Sequence, residues 1–238
     1  ELGGAREFRL CEDGEGRACL PGLDRIGYHR LLVAGQCVTL AVAPHSARSI
    51  GDVAQGRKLW GLAAQIYGLS SAGDGGFGDF GAVAALCEQA SRRGADMLML
   101  SPAHALYAAD AHHFAPYSPS SRLFANALHA DPALVLGADF CAPHAARFGT
   151  RFAQARASEL IDWPDASRAR LAYFRALFDA FVAQDLPDGA ISATGMDFAR
   201  FRAAGGQTLE RHAIFEALHA DEFSRDFTKW NWRDWPAE

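Results

Sequence analysis

Two apolar strands joined through one helix, with hardly a third in sight, constrain this chain more than any other feature. Leu59 to Tyr67 is a mostly apolar run, of the kind that lies in a sheet buried on both faces. A glycine-rich loop from Gly68 to Gly78 follows. Asp79 is placed to cap a helix with Val83, Leu86, Cys87 and Ala90 along one face, and Gly94 to end it. Asp96 to Leu100 reads as a second apolar strand, stopped by Ser101-Pro102. Strand, helix and strand make a βαβ unit, so the two strands should run parallel with a right-handed crossover. A (β/α)8 barrel needs eight such strands in roughly 200 residues or more. Beyond Leu100 there is one weak strand candidate, near Ala190 to Ser192. A complete barrel is therefore not expected: either the fold is another one, or the chain is a piece of a larger one.

Before the βαβ unit, residues 1–45 read as β-structure. Tyr28 to Val33 is strand-like, Ala34-Gly35-Gln36 signals a turn, and Val38, Leu40 and Val42 alternate with Thr39 and Ala41. This predicts the last hairpin of a small β-sandwich, followed by a linker over 46–58. From Pro102 to about Pro143 the chain should be rich in loops, and helical beyond. Leu171, Phe174, Phe178, Phe181 and Val182 share one helical face, with Asp162 and Pro164 as start signals. Leu209, Ala213, Ile214, Ala217 and Leu218 form another. The aromatic end, Trp230 to Pro236, has no periodicity.

Composition removes several classes of function. Net charge is −5 with both signs interspersed, which is no nucleic-acid footprint. No apolar run approaches the roughly 18 to 20 residues that span a bilayer, and no secretory signal opens the sequence. The five cysteines are odd in number and include no CxxC pair. They read as free buried thiols in a reducing cytoplasm.

Three motifs point elsewhere on first sight. Gly76-Phe77-Gly78-Asp79-Phe80-Gly81 matches GxGxxG between a strand and a helix, as a nucleotide-binding oxidoreductase would require. The loop before it is too long for that turn, and Asp79 would set a negative charge where a pyrophosphate sits. A βα loop with a capping aspartate fits better, and no cofactor is expected. His104, His112, His113, His129 and His144 crowd one stretch, yet no HExxH or Cys/His spacing makes them metal ligands. No GxSxG elbow occurs.

Pro116-Tyr117-Ser118-Pro119-Ser120-Ser121-Arg122-Leu123-Phe124-Ala125-Asn126 is the most informative stretch. Two prolines stiffen a loop just past the carboxyl end of the second strand, where parallel α/β architectures carry their ligands. It offers a flat ring at Tyr117, several hydroxyls, an amide and a guanidinium. Sugars need that mixture, an apolar face for their C–H face and neutral hydrogen-bond partners for their hydroxyls. Composition alone leaves a sugar site and a structural turn with a surface tyrosine equally open.

The order and spacing of these pieces resemble the opening of the barrel in 4-α-glucanotransferases of glycoside hydrolase family 77. The resemblance runs through Trp60-Gly61-Leu62, Gln65-Ile66-Tyr67, Gly76 to Phe80, Gly94-Ala95-Asp96, Ser101 to Leu106, and Pro116 to Arg122 with Asn126. It continues through Arg211-His212-Ala213, Phe215 to Leu218 and Trp232 to Pro236. It implies an α/β fold, an incomplete (β/α)8 TIM barrel over 59–238 with a helical insertion, preceded by part of a small β-sandwich domain. It also implies transfer of α-1,4-glucan segments between maltodextrins by a retaining double displacement, with an aspartate nucleophile and a glutamate acid/base. Those carboxylates belong to later strands, so no catalytic residue is assigned here. The chain would be a fragment, inactive alone, partnered by the remaining barrel portion or a second chain. Tyr117 resembles the tyrosine that packs on the sugar beside the scissile bond; Asn126, Asp110 and His104 share its rim as further substrate-binding candidates. Ala115 departs from the family's usual serine and removes one possible sugar hydrogen bond. A non-catalytic α-glucan-binding module is the competing reading.

Overall fold

The structure is a computed structural model describing residues 7, 11–20, 22–71, 73–186 and 191–236. Contacts divide the chain into two units, residues 1–58 and residues 59–238.

The first unit holds two antiparallel ribbons. β1 (Cys11–Glu12) pairs with β2 (Ala18–Cys19), their turn tied by Asp13 accepting from the backbone N–H groups of Glu15 and Arg17. β3 (Gly27–Val33) pairs with β4 (Gln36–Val42) in unbroken register from Gly27↔Val42 to Val33↔Gln36. Both turn residues between them, Ala34 and Gly35, have positive φ, 49° and 79°. That is the mirror-image turn whose twist matches a hairpin's, and Ala34 takes the left-handed strain. The expected linker contains one helical turn, α1 (Ile50–Ala54). Ser49 and Asp52 close a capping box at its start, which is why so short a segment winds.

In the second unit β5 (Gly61–Ala64) and β6 (Met97–Leu100) run parallel, with Gly61 opposite Met97 and Ala64 opposite Leu100. The crossover is α2 (Phe80–Arg92), capped by Asp79, whose carboxylate accepts from Ala82 N–H at 2.9 Å. Gly94, at φ +82°, turns the chain back into the sheet. The strands are shorter than the apolar runs, and burial on both faces does not hold: Trp60, Met97 and Met99 are all exposed, Met99 at 66 %. The one crossover helix cannot cover both faces of a sheet. Cys87 is exposed rather than on the buried face of α2, and Cys37 is exposed as well, whereas Cys141 is buried.

After β6 comes a second antiparallel pair, β7 (His104–Ala105) with β8 (Ser121–Ala125), irregular between His104 and Ala105. β8 lies where loop was expected. The helices then follow: α3 (Ala133–Leu136), α4 (Ala138–Ala157), α5 (Trp163–Asp185) and α6 (Ala193–Arg225). α4 begins before Pro143, not after it. A proline this near the amino end sacrifices one hydrogen bond, to the Asp139 carbonyl, so it does not bar the helix. α5 starts as its signals predict, with Asp162 capping Asp165 N–H and Pro164 in the first turn. α6 is broken at Gly206, φ +50° and ψ −148°. Of the weak third strand, Ala190 lies outside the described residues; Ile191 is irregular and Ser192 caps α6.

Two apolar clusters organise this unit. Cys141, Phe152, Ala169, Tyr173 and Leu177 fill the seam between α4 and α5. Phe77, Leu128 and Ala166, with Tyr67 and Trp163 against them, lie beneath the site described next.

Candidate functional site

The site begins where the parallel ladder ends. Ser101 N–H donates to the Ala64 carbonyl at 3.1 Å, carrying the pairing one step past β6. Ser101 Oγ then accepts from Ile66 N–H at 3.4 Å. Ile66 is fully buried and starts a 3-10 turn, Ile66–Gly68, that presents Tyr67 at the carboxyl end of β5.

The glycine loop is folded onto this turn by buried polar groups. Asp74, 1 % exposed, accepts from the N–H groups of Ser71 and Gly76. Arg170 of α5 reaches in, donating to the carbonyls of Asp74 and Ala130 and pairing with Asp79 at 3.2 Å. Its guanidinium also lies over the Phe77 and Phe174 rings. Burial pulls the Arg170 pKa below its ordinary value, and the Asp79 charge opposes that pull. His129 Nδ1–H donates to the Gly78 carbonyl at 2.9 Å. The glycines are steric necessities here. A side chain at Gly78 would strike the Ile66 and Leu69 carbonyls; one at Gly76 would meet Ala155 Cβ at 2.5 Å. The GxGxxG pattern is thus accounted for by close packing and by the Asp79 cap.

The second wall is the excursion between β7 and β8. Its ends are pinned by Ser120 N–H to the Ala105 carbonyl and Asn126 N–H to the Ala103 carbonyl. At its tip Ser118 N–H returns to the Ala115 carbonyl at 3.1 Å. Pro116 and Tyr117 are therefore the two central residues of a β-turn, and proline presets the dihedral of the first. That geometry thrusts the Tyr117 ring outward, 73 % exposed. The remainder of the excursion is held against α6 and the chain's aromatic end. Glu216 accepts from Ala108 N–H and Ser120 Oγ, and His113 stacks on Trp230 with centroids 4.5 Å apart.

Between these walls, and closed on the third side by the connection from α4 to α5, lies an open cleft of about 960 Å³. Tyr67, Phe77, Phe114, Tyr117 and Trp163 give it an aromatic character. Phe114 lies flat on Trp163, 5.1 Å between centroids and 2° between planes. Trp163 in turn presses edge-on against Tyr67 at 5.5 Å.

Of the four residues singled out from sequence, Tyr117 lines this cleft. Asp110 is buried in its own turn, bonded to His113 Nδ1 at 2.5 Å and accepting from His112 N–H, so it shapes the wall from behind. Asn126 is buried too, its side chain accepting from Leu128 N–H. His104 sits half-buried in β7, opposite Ala125. The structure does not bring these three to the tyrosine's side of the loop. Sequence reasoning missed Phe114 and Trp163; Phe114's place two residues ahead of the Pro-Tyr turn was the available signal. Among the described residues no cluster of His, Cys, Asp and Glu could hold a metal, and no helix is long and apolar enough to cross a membrane.

A βαβ unit carrying an aromatic cleft at the carboxyl ends of its strands, with helices packed behind it, defines an α/β protein with its site in the place parallel sheets reserve for ligands. Comparison gives the family. The profile of glycoside hydrolase family 77, described as 4-alpha-glucanotransferase, matches residues 64–238, and the chain belongs to that family. It is 29% identical over 225 residues to the 4-alpha-glucanotransferase of Haemophilus influenzae, covering 89% of this chain and 32% of that protein. Over 126 residues it is 33% identical to the 4-alpha-glucanotransferase of Mycobacterium tuberculosis, 49% of this chain and 17% of the relative. Its fold is similar to the crystal structure of amylomaltase from Corynebacterium glutamicum, with a TM-score of 0.57 at 22% identity, over 86% of this chain and 30% of that one. The chain thus spans a third or less of the length of the relatives it matches.

Proposed function

We propose that this chain is the amino-terminal portion of a 4-α-glucanotransferase, and that its Tyr117 cleft holds an α-1,4-glucan for transfer to another glucan's 4-hydroxyl. The observation that carries this is Tyr117 itself: an exposed ring at a proline-fixed turn, facing a cleft at the strand ends, in a chain of this family. A flat ring at the mouth of a cleft offers an apolar face to pack against, and the C–H face of a glucose ring is a surface that fits it. Asp110 serves the substrate through the loop it braces, and His104 and Asn126 through the β7–β8 pairing at that loop's base.

In this reading β5 and β6 are the first two strands of a (β/α)8 barrel, which accounts for apolar strand residues left exposed here. The chemistry is a retaining double displacement on carboxylates of later strands. A glutamic acid gives its proton to the glycosidic oxygen as that bond to C1 breaks, and an aspartate oxygen bonds to C1. The glutamate then takes the proton of the acceptor 4-hydroxyl, whose oxygen displaces the aspartate. Of the carboxylates lining the cleft, Asp74 is consumed by backbone N–H groups and Asp162 by the cap of α5, which leaves Glu159 alone where a double displacement needs two. The 238-residue chain alone should accordingly transfer nothing.

The test is maltotriose disproportionation by the full-length protein. Tyr117→Ala should raise KM about tenfold, the worth of roughly 1.4 kcal/mol of ring contact, with the fold intact by circular dichroism. Unchanged KM in a folded variant removes the tyrosine from the site.

A further inference from the structure

We propose that Phe114 is a second sugar platform in the cleft and sets the enzyme's preference for longer glucans. The inference rests on the glucan reading of the Tyr117 cleft and adds a residue to it.

Phe114 has one face covered and the other open. Its near-parallel stack on Trp163 buries one face, yet the residue is 46 % exposed, so the exposure lies on the opposite face and edge. Phe114 lines the same cleft as Tyr117. The platform is also rigid. Trp163 is fixed by the Asp162 cap at the start of α5, by Tyr67 at its edge, and by Phe77, 5.3 Å away and 2 % exposed. A ring held in place before the ligand arrives spends little ordering entropy on binding.

Spacing then decides the role. Phe114 and Tyr117 are three residues apart, so their backbones lie within roughly 10 Å. The cleft's volume, about 960 Å³, is near the top of the range of about 300–1,000 Å³ for small-ligand sites, enough for more than one sugar. One glucan chain can therefore lay successive units on the two rings. Phenylalanine has no hydrogen-bonding atom, so it registers that a sugar is present without reading its hydroxyls. A short donor occupies the Tyr117 end and leaves Phe114 bare; a longer one reaches both.

The experiment compares maltotriose and maltoheptaose as donors for the full-length protein. In Phe114→Ala, kcat/KM should fall about 5- to 10-fold more for maltoheptaose than for maltotriose, chiefly in KM, which is the size of one aromatic contact. Phe114→Tyr, which keeps the flat face, should restore the wild-type ratio. Phe114→Leu keeps apolar bulk against Trp163 without a platform and should reproduce the alanine ratio, which guards against misfolding of the smaller variant. A ratio unchanged in folded Phe114→Ala or Phe114→Leu overturns the proposal. Wild-type protein that transfers no glucan at all overturns the transferase reading beneath it, a result separable from the other.

Discussion

His129 shows how much one buried residue does for the cleft floor. Its ring is 6 % exposed, donates to the Gly78 carbonyl, and stands edge-on to Phe77 at 5.9 Å. Burial, chiefly, holds its pKa below the ordinary 6.5; the Gly78 carbonyl opposes this, the Arg170 charge adds to it, and Asp79 opposes it. The sign for stability follows. Below pH 6.5 the unfolded chain binds a proton at this position that the folded chain still refuses, so stability falls as pH drops through 6.5 and levels once the folded ring is protonated too. His129→Asn keeps an N–H that can reach the Gly78 carbonyl but does not titrate. Its melting temperature should fall less between pH 7.5 and 5.5 than that of the parent, and parallel slopes would refute the assignment. The histidine-rich stretch was visible in the sequence, but not that His129 turns inward to a backbone carbonyl 51 residues away, because no local pattern encodes a partner at that distance.

Among the elements, α2 depends on one side chain with two duties. Asp79 caps the helix and neutralises Arg170, both groups being under 10 % exposed. Asp79→Asn should retain the cap and lose the charge, leaving the buried guanidinium its carbonyl partners and the weaker pull of the Asp74 and Asp131 charges, at a cost of about 3 kcal/mol. Asp79→Ala should add about 1 kcal/mol for the lost cap. Chemical denaturation of both variants measures the difference; equal losses would show that the cap contributes nothing. Half of this was legible beforehand. An aspartate ahead of an apolar helical face announces a cap, and the same logic located α5 from Asp162 and Pro164. Arg170 was illegible, since a charged residue on a helix reads as solvent-facing until the fold sets three carbonyl and carboxylate oxygens around it. β8 was hidden likewise, because the prolines before it spoke for a loop and its pairing with His104 is a tertiary fact.

For the whole molecule, the parallel pair is the part that was legible in sequence and whose apolar side chains the structure nonetheless leaves exposed. Two apolar runs with a capped helix between them announced both strands and their parallel direction, yet Trp60, Leu62, Met97 and Met99 are exposed in residues 59–238. Exposed apolar strands with open edges invite association. The 238-residue chain alone should therefore bind a hydrophobic dye and self-associate as its concentration rises in sedimentation velocity. Met99→Lys makes the barrel reading testable, because the sign of its effect depends on what covers the sheet. In the isolated chain Met99 is 66 % exposed, so lysine meets water, and the variant should associate less with its melting temperature nearly unchanged. In the full-length protein, where the proposed barrel encloses that face, the same lysine buries an unpaired charge and should cost several kcal/mol. Loss of stability in the longer protein alongside gain of solubility in the shorter is the expected pair of results. A lysine harmless in both would mean that β5 and β6 are not the start of a closed barrel.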